Sequence, residues 1–223
     1  MLTLGERLDA FHDGLLDRVG PARAAELRAS EEALIASGVE DQALREGDAA
    51  PDFVLPDQHG GQIGLYDRLE QRDSAVVLFF RGGWCPYCAI TLRAWQDRLP
   101  DIRAAGSQVL ALSPQRLNAC CETAERDMLD FAVLSDQGNL VAERYGVAYD
   151  LPERLRPFFQ SLGHDLPRVN GTGDWRLPLA ATFIVDRNRR IVRRHVSALH
   201  YRRLEPSDAL ATLRGITAPG GPD

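Results

Sequence analysis

The sequence predicts an α/β protein in which a mixed central sheet carries helices on both faces and is preceded by a helical arm. Two continuous apolar runs, SAVVLFF (74–80) and SQVLALS (107–113), are typical of central strands covered on both faces. Helical segments alternate with these runs, and TFIVD followed by RRIVRRHV near the C-terminus predicts an antiparallel hairpin. Strands that alternate with helices and end in a hairpin favour a three-layer arrangement.

The N-terminal arm and its linker are predicted over residues 1–45. The first helix has one apolar stripe, formed by Leu4, Leu8, Phe11 and Leu15. Pro21 separates it from a second helix that ends near Gly38. An amphipathic arm of this kind packs either on a second subunit, which would make a homodimer, or back on its own domain. The sequence leaves both placements open.

The main domain is predicted over residues 46–217. It begins with FVLPDQHGGQIGLY, in which a Gly-Gly turn joins two short strands. A helix follows each of the two apolar runs, the stretch 148–180 is rich in loops around one short helix, and PSDALATLRGI forms the last helix. The tail APGGPD, residues 218–223, is expected to be disordered.

Composition excludes several classes of partner and location. The chain has 223 residues, 44% of them hydrophobic, and a net charge of −6. No basic run is long enough to follow a phosphate backbone, so nucleic acid is not an expected partner. No stretch approaches the roughly 20 apolar residues of a membrane span, and the N-terminus lacks the pattern of a secretory signal. We therefore expect a cytoplasmic protein.

The chain has no Lys, so all 26 of its Lys and Arg residues are Arg. This composition is typical of a GC-rich, bacterial genome. Only Arg, His or the dipoles of the backbone are therefore available to lower the pKa of a thiol.

The stretch RGGWCPYC, residues 81–88, carries the strongest chemical signal. Cys85 is predicted to cap the helix that follows, with Pro86 at its first position and Cys88 two residues further on. A helix N-terminus stabilises a thiolate and lowers the pKa of a nearby thiol. Cys88 lies on the helix face that packs on the sheet, which leaves Cys85 at an exposed tip. The pair is therefore predicted to be a redox dithiol.

Metal binding is the main alternative for the cysteines. A zinc site needs a second pair of ligands at fixed spacing, and the remaining cysteines, Cys120 and Cys121, are adjacent within a predicted helix. None of the five histidines lies at ligand spacing from either pair. Neither a metal nor a cofactor is expected. Cys120 and Cys121 are interpreted as small core residues, with one of them resolving a sulfenic acid as the alternative.

The motif VVLFFRGGWCPYCAITLRAWQ lies between GDAAPDFVLPDQHG and the later segments VLALSPQ, VLSDQGN and ATFIVDRN. Together they resemble the peroxiredoxin-like branch of the alkyl hydroperoxide reductase and thiol-specific antioxidant superfamily, over about residues 46–215. The resemblance implies a thioredoxin-like fold and a thiol peroxidase. In such an enzyme a cysteine thiolate attacks a hydroperoxide, becomes a sulfenic acid and is recycled through a disulfide. It also implies thioredoxin, glutaredoxin or glutathione as the electron donor.

Three positions depart from the peroxiredoxin pattern. The peroxidatic position falls on Cys88, the usual Thr is replaced by Cys85, and the usual Pro by Arg81. The Arg of the later strand falls near Ala180. In thioredoxins the more exposed cysteine of such a pair is the attacking thiolate, which here would be Cys85, with Cys88 as its resolving partner. We favour this order, but the sequence leaves open which cysteine attacks. Arg81 is the candidate replacement for the missing cation.

Two tryptophans complete the predicted site. Trp84 directly precedes the cysteine pair and is expected to shield it, with a packing role as the alternative. Trp175, in the loop GDWRLPLAATF, is a candidate for the substrate pocket beside the pair, although core packing is the interpretation that we favour for it.

Two other functions compete with the peroxidase. The Pro-Tyr dipeptide between the cysteines is a signature of disulfide exchange, which predicts a general thiol–disulfide oxidoreductase acting on disulfide substrates. The amphipathic arm suggests a redox-sensing, partner-binding protein.

Overall fold

The computed structural model describes residues 2–217, so the predicted disordered tail, 218–223, lies outside the described residues. The helices are α1 (Leu4–Val19), α2 (Pro21–Ala36), α3 (Leu65–Gln71), α4 (Pro86–Asp97), α5 (Leu99–Ala104), α6 (Leu117–Asp127), α7 (Leu140–Arg144), α8 (Arg156–Ser161), α9 (Leu166–Asn170) and α10 (Pro206–Thr217). The strands are β1 (Val54–Pro56), β2 (Gln62–Gly64), β3 (Ser74–Phe79), β4 (Ser107–Ser113), β5 (Ala132–Ser135), β6 (Ala148–Asp150), β7 (Arg176–Pro178), β8 (Ala180–Asp186) and β9 (Ile191–Ser197). Short 3₁₀ turns cover Val39–Gln42 and Glu153–Leu155.

Five strands form the central sheet in the order β5-β4-β3-β8-β9. β3, β4 and β5 are parallel, whereas β8 pairs antiparallel with β3 and β9 pairs antiparallel with β8. The β8–β9 hairpin and the β1–β2 hairpin are confirmed. Helices α3 and α5 were not predicted, because each is only about two turns long and follows directly on another element.

Two hydrophobic cores lie on opposite faces of this sheet. Every residue of β3 is buried, and its side chains alternate between the two faces. Val76 and Leu78 face the first core, together with buried residues of α1, α4, α5, α6 and α10. Val77 and Phe79 face the second core, together with residues of α3 and α7. The layered α/β arrangement follows from this alternation, because each sheet face must be covered by helices.

The N-terminal arm folds back on its own domain. The carboxylate of Glu205 accepts hydrogen bonds from the backbone N–H groups of Leu4 (3.1 Å) and Gly5 (2.6 Å), at the start of α1. Leu4 and Leu8 are buried in the first core, beside residues of α4. This is one of the two placements that the sequence left open. The homodimer stays a prediction.

Within residues 2–217, none of the helices combines the length and the apolar character that crossing a membrane requires.

Replacing Leu8 by Ala tests whether the arm is part of the folded core. Leu8 is 0% exposed, so removal of its side chain leaves a cavity and should lower the free energy of unfolding by about 2–5 kcal/mol, measured by urea denaturation. Ile35→Ala is the matched control on the same arm, since Ile35 is 50% exposed. Equal, small effects of the two substitutions would show that the arm does not contribute to the core.

Candidate active site

The turn between β3 and α4 is built of glycine because neighbouring side chains press against it. A Cβ on Gly82 would collide with the indole of Trp84, and one on Gly83 with the hydroxyl of Thr123. The N–H of Gly83 donates to Oε1 of Gln115 at 2.7 Å. This tight, hydrogen-bonded turn fixes where α4 begins.

The cysteine pair lies at the start of α4, as predicted. Cys85 is the N-cap, Pro86 is at the first helical position, and Cys88 packs into the first core. Both cysteines are free thiols. The predicted exposure of Cys85 is wrong, since the residue is 1% exposed. The N-terminus of α4 is not a surface tip, because the arm and the segment 149–164 close over it.

Two guanidinium groups flank the thiol pair. Arg81 Nη2 donates to Cys85 Sγ at 3.1 Å, and Arg203 Nη2 lies 3.8 Å from Cys88 Sγ. Arg203 is held by a hydrogen bond from its Nε to the carbonyl of His200, at 2.8 Å. Arg81 Nε and Arg203 Nη1 are buried and have no hydrogen-bond partner among residues 2–217. Arg81 lines the cavity, so its guanidinium can meet a bound molecule there, whereas Arg203 is not among the lining residues. Arg203 was missed by sequence reasoning, because it reaches the pair from the far end of the chain.

The two thiols have opposite pKa shifts. Burial raises the pKa of the Cys85 thiol, and its hydrogen bond to Cys88 raises it further. Burial alone would also raise the pKa of Cys88. The hydrogen bond from Cys85 and the guanidinium groups of Arg203 and Arg81 outweigh burial and hold the pKa of Cys88 well below its usual range. The hydrogen bond between the thiols and the two guanidinium groups therefore favour the thiolate on Cys88 over the thiolate on Cys85.

A cavity of about 300 Å³ lies above the pair. Cys85 and Arg81 line its floor, whereas Cys88 is not among its lining residues. The walls are mostly apolar. The arm contributes Leu15, Leu27 and Leu34, and the facing segment contributes Leu155, Phe158 and Phe159. A molecule in this cavity therefore meets Cys85 first.

A polar cluster lies at one end of the cavity. His12 Nδ1 is 3.0 Å from the hydroxyl of Tyr87, and His200 Nδ1 is 3.8 Å from Oε1 of Glu31. Burial raises the pKa of Glu31 to about 7 and lowers the pKa of both histidines. The sequence did not predict this cluster, because its members come from α1, α2, α4 and the loop after β9 and share no local spacing.

The two predicted tryptophans occupy different places. Trp84 lines the cavity, stacks edge-on against Phe159, and lies under the guanidinium of Arg81 at 5.5 Å. Trp175 was a candidate for the substrate pocket. It is not among the lining residues and instead packs behind the cavity wall, against a small cluster of Leu151, Phe159, Leu166 and Leu177, with Arg156 over its ring at 5.8 Å. The core-packing interpretation describes Trp175 better.

The second cysteine pair lies away from the cavity. Cys120 is buried in the first core, where burial raises its pKa to about 12. Cys121 is half-buried and its Sγ donates to the carbonyl of Gln58 at 3.1 Å. Neither residue is among those that line the cavity. Their placement fits small packing residues.

Comparison with known proteins gives consistent results. The model of the AhpC/TSA family matches residues 46–194. Peroxiredoxin Bcp of Escherichia coli K12 is 36% identical over 104 residues, which cover 47% of this chain and 65% of that protein. The chloroplastic peroxiredoxin Q of Oryza sativa subsp. japonica is 32% identical over 145 residues, 64% of each chain. The chain thus matches a little under two thirds of the length of these relatives.

Solved structures show the same fold. Peroxidoxin BcpB of Mycobacterium tuberculosis superimposes with a TM-score of 0.62, at 23% identity, over 78% of this chain and 99% of its own. Peroxiredoxin Q of Xanthomonas campestris gives a TM-score of 0.57 at 18% identity, over 78% of this chain and 98% of its own. The predicted thioredoxin-like fold is confirmed.

Replacing Arg203 by Met tests the electrostatics of the thiol pair. Loss of the guanidinium removes a stabiliser of the Cys88 thiolate, so the pKa of Cys88 should rise and the thiolate should protonate at a higher pH. We expect the midpoint of the thiolate titration to move to a higher pH, measured by the ultraviolet absorbance of the thiolate during a pH titration.

Arg202→Met is the control for this experiment, because Arg202 is exposed and pairs with Asp9 at 3.0 Å. Identical titration curves for Arg203→Met and the wild type would contradict the assignment of Arg203 to the thiol site.

Proposed function

Because the chain belongs to the AhpC/TSA family, we propose that it is a thiol-dependent peroxidase in which Cys85 and Cys88 together reduce a hydroperoxide. The observation that carries this proposal is the placement of the thiol pair. Cys85 lies on the floor of a mostly apolar cavity, beside the Arg81 guanidinium, with Cys88 hydrogen-bonded behind it. A positively charged, water-poor site favours attack by sulfur on an O–O bond, since negative charge develops on the departing oxygen.

Cys85 is the proposed attacking residue, because it lines the cavity and Cys88 does not. As the Cys85 sulfur forms a bond to the terminal oxygen of ROOH, its proton passes to the Cys88 thiolate and the O–O bond breaks. The alkoxide RO⁻ leaves and takes up a proton from solvent as the alcohol. Cys88 thus acts as the general base for the first step.

The second step closes the disulfide. The Cys88 sulfur attacks the sulfur of the Cys85 sulfenic acid, an S–S bond forms, and the hydroxyl leaves with the Cys88 proton as water. The peroxide has been reduced by two electrons and the two cysteines have lost two. Two electrons from thioredoxin, glutaredoxin or glutathione restore the thiols, and we place this cycle in the cytoplasm.

In this proposal Arg81 and Arg203 replace the Thr and the Arg of the peroxiredoxin pattern, which this chain lacks. Each guanidinium is anchored at one nitrogen, Arg81 to Cys85 and Arg203 to the His200 carbonyl, and each keeps an unpaired buried nitrogen. In this proposal Arg81, which lines the cavity, donates to the peroxide, while Arg203 acts from behind on Cys88.

The thiol–disulfide oxidoreductase is the second candidate, favoured by the Cys85-Pro86-Tyr87-Cys88 dithiol itself. It stands second because the cavity above Cys85 is mostly apolar and suits a small apolar molecule better than a disulfide carried by a protein. If the protein reduced insulin faster than it reduced peroxide, the thiol–disulfide oxidoreductase would become the first candidate and the peroxidase the second. A redox-sensing role stays a prediction from the amphipathic arm.

The cysteine variants test the proposed roles. We expect the wild type to oxidise NADPH when hydroperoxide, a thiol donor and its reductase are supplied, and Cys85→Ser to be inactive. Cys88→Ser should still form a sulfenic acid on Cys85, detected by mass spectrometry with a sulfenic-acid probe, but about 100-fold more slowly because the base is lost.

Cys121→Ser is the matched control and should keep the wild-type rate, since Cys121 lies away from the cavity. Sulfenic acid trapped on Cys88 in the Cys85→Ser variant would assign the attack to Cys88 instead. No peroxide turnover with any of the three donors would remove the peroxidase proposal altogether.

The apolar walls of the cavity predict the substrate class within this proposal. A hydroperoxide with a bulky apolar group, such as cumene hydroperoxide, should have a higher kcat/KM than hydrogen peroxide, because only the former fills the apolar space.

Leu27→Trp, which narrows the cavity from the arm side, should lower kcat/KM for cumene hydroperoxide by about tenfold and leave kcat/KM for hydrogen peroxide unchanged. Ile35→Trp, on the exposed side of the same helix, should change neither value. Equal losses for both peroxides would contradict the substrate prediction.

A further inference from the structure

Three potential metal ligands converge at the polar end of the cavity. His12 comes from α1, Glu31 from α2, and His200 from the loop between β9 and α10. One ligand atom from each of these side chains lies within 4.8 Å of the other two. They are the only such group of three His, Cys, Asp or Glu side chains among the residues that the structure describes.

We propose that His12, Glu31 and His200 form a binding site for a divalent transition-metal ion of the Zn²⁺ and Co²⁺ class. Two imidazoles and one carboxylate suit these ions, whereas Ca²⁺ and Mg²⁺ prefer oxygen ligands alone. Three protein ligands that face a cavity leave a coordination position open to a small molecule, which is the arrangement of catalytic rather than structural zinc sites.

Neighbouring side chains orient the proposed ligands. The 3.0 Å hydrogen bond between His12 Nδ1 and the Tyr87 hydroxyl orients that imidazole and leaves its Nε2 for an ion, in the manner of the outer-shell partners of metal-binding histidines. The His12 ring also stacks on Tyr201 at 3.9 Å, and the Tyr87 ring meets the His200 ring edge-on at 4.5 Å. The two imidazoles are therefore largely held in place before an ion arrives.

Burial and charge are compatible with a cation at this position. The side chain of Glu31 is 14% exposed and that of His200 is 22% exposed, so the site opens toward solvent only slightly. Arg81 and Arg28 act on the Glu31 carboxylate and oppose a cation. Arg81 and Arg203 act in the same sense on His200. The Arg81 guanidinium donates its 3.1 Å hydrogen bond to Cys85, so the Glu31 carboxylate is left to ligate the ion together with the two imidazoles.

The test must separate this site from the thiol pair, which also binds soft metals. The starting protein is therefore the full chain with Cys85→Ser and Cys88→Ser, titrated with Co²⁺ alone and followed by its visible absorption and by equilibrium dialysis. We expect one equivalent to bind, with the d–d bands of nitrogen and oxygen ligation and no sulfur-to-cobalt charge-transfer band. Zn²⁺ should displace it.

Added to this background, Glu31→Gln should weaken Co²⁺ binding by about tenfold or more, because it removes the anionic ligand while keeping the shape of the side chain. His200→Gln should have a similar effect. Glu32→Gln is the control, since Glu32 is the exposed neighbour on the same helix. Circular dichroism of each variant shows whether it is folded.

The proposal is overturned if the double cysteine variant binds no Co²⁺, or if Glu31→Gln, His200→Gln and Glu32→Gln bind it equally. Binding in the wild type that vanishes in the double cysteine variant would assign the metal to the thiols alone. None of these readouts requires turnover, so the metal site and the peroxidase proposal fail or succeed independently.

Discussion

The buried charge of Arg81 is the constraint around which the site is organised. A guanidinium that is only 7% exposed is costly unless its charge is matched nearby. Arg81 meets that requirement through the thiol of Cys85, which accepts its hydrogen bond, and through the neighbouring Tyr149 and Cys88. The pKa of the guanidinium is raised by these groups, although burial alone would lower it. Charge on the thiol pair and charge on Arg81 thus stabilise each other.

This mutual dependence explains why the pair is covered. In a site open to water, solvent would screen the guanidinium groups and weaken their effect on the thiols. The arm and the segment 149–164 exclude that water and at the same time leave an apolar cavity above Cys85. The covering segments therefore determine both the electrostatic environment of the thiols and the shape of the cavity above them.

The sequence predicted what local patterns determine. The buried strands β3 and β4, the closing hairpin and the cap of α4 by Cys85 follow from residues that are close together in the chain. The burial of Cys85 did not follow, because the residues that cover it lie in the arm and in a loop-rich segment with no regular period. Arg203 and the cluster of His12, Glu31 and His200 were missed for the same reason. Their proximity is created by tertiary folding alone.

The loop between β9 and α10 shows what this folding implies for the chain as a whole. Within six residues it supplies His200 to the polar cluster, Arg203 to the thiol pair and Glu205 to the start of the arm. The docking of the first helix is thereby tied to the position of the guanidinium beside Cys88. Removal of the arm would remove one wall of the cavity. It would also remove the N–H groups of Leu4 and Gly5, which hold Glu205 and with it this loop. The arm and the C-terminal region thus form one structural unit built from opposite ends of the chain.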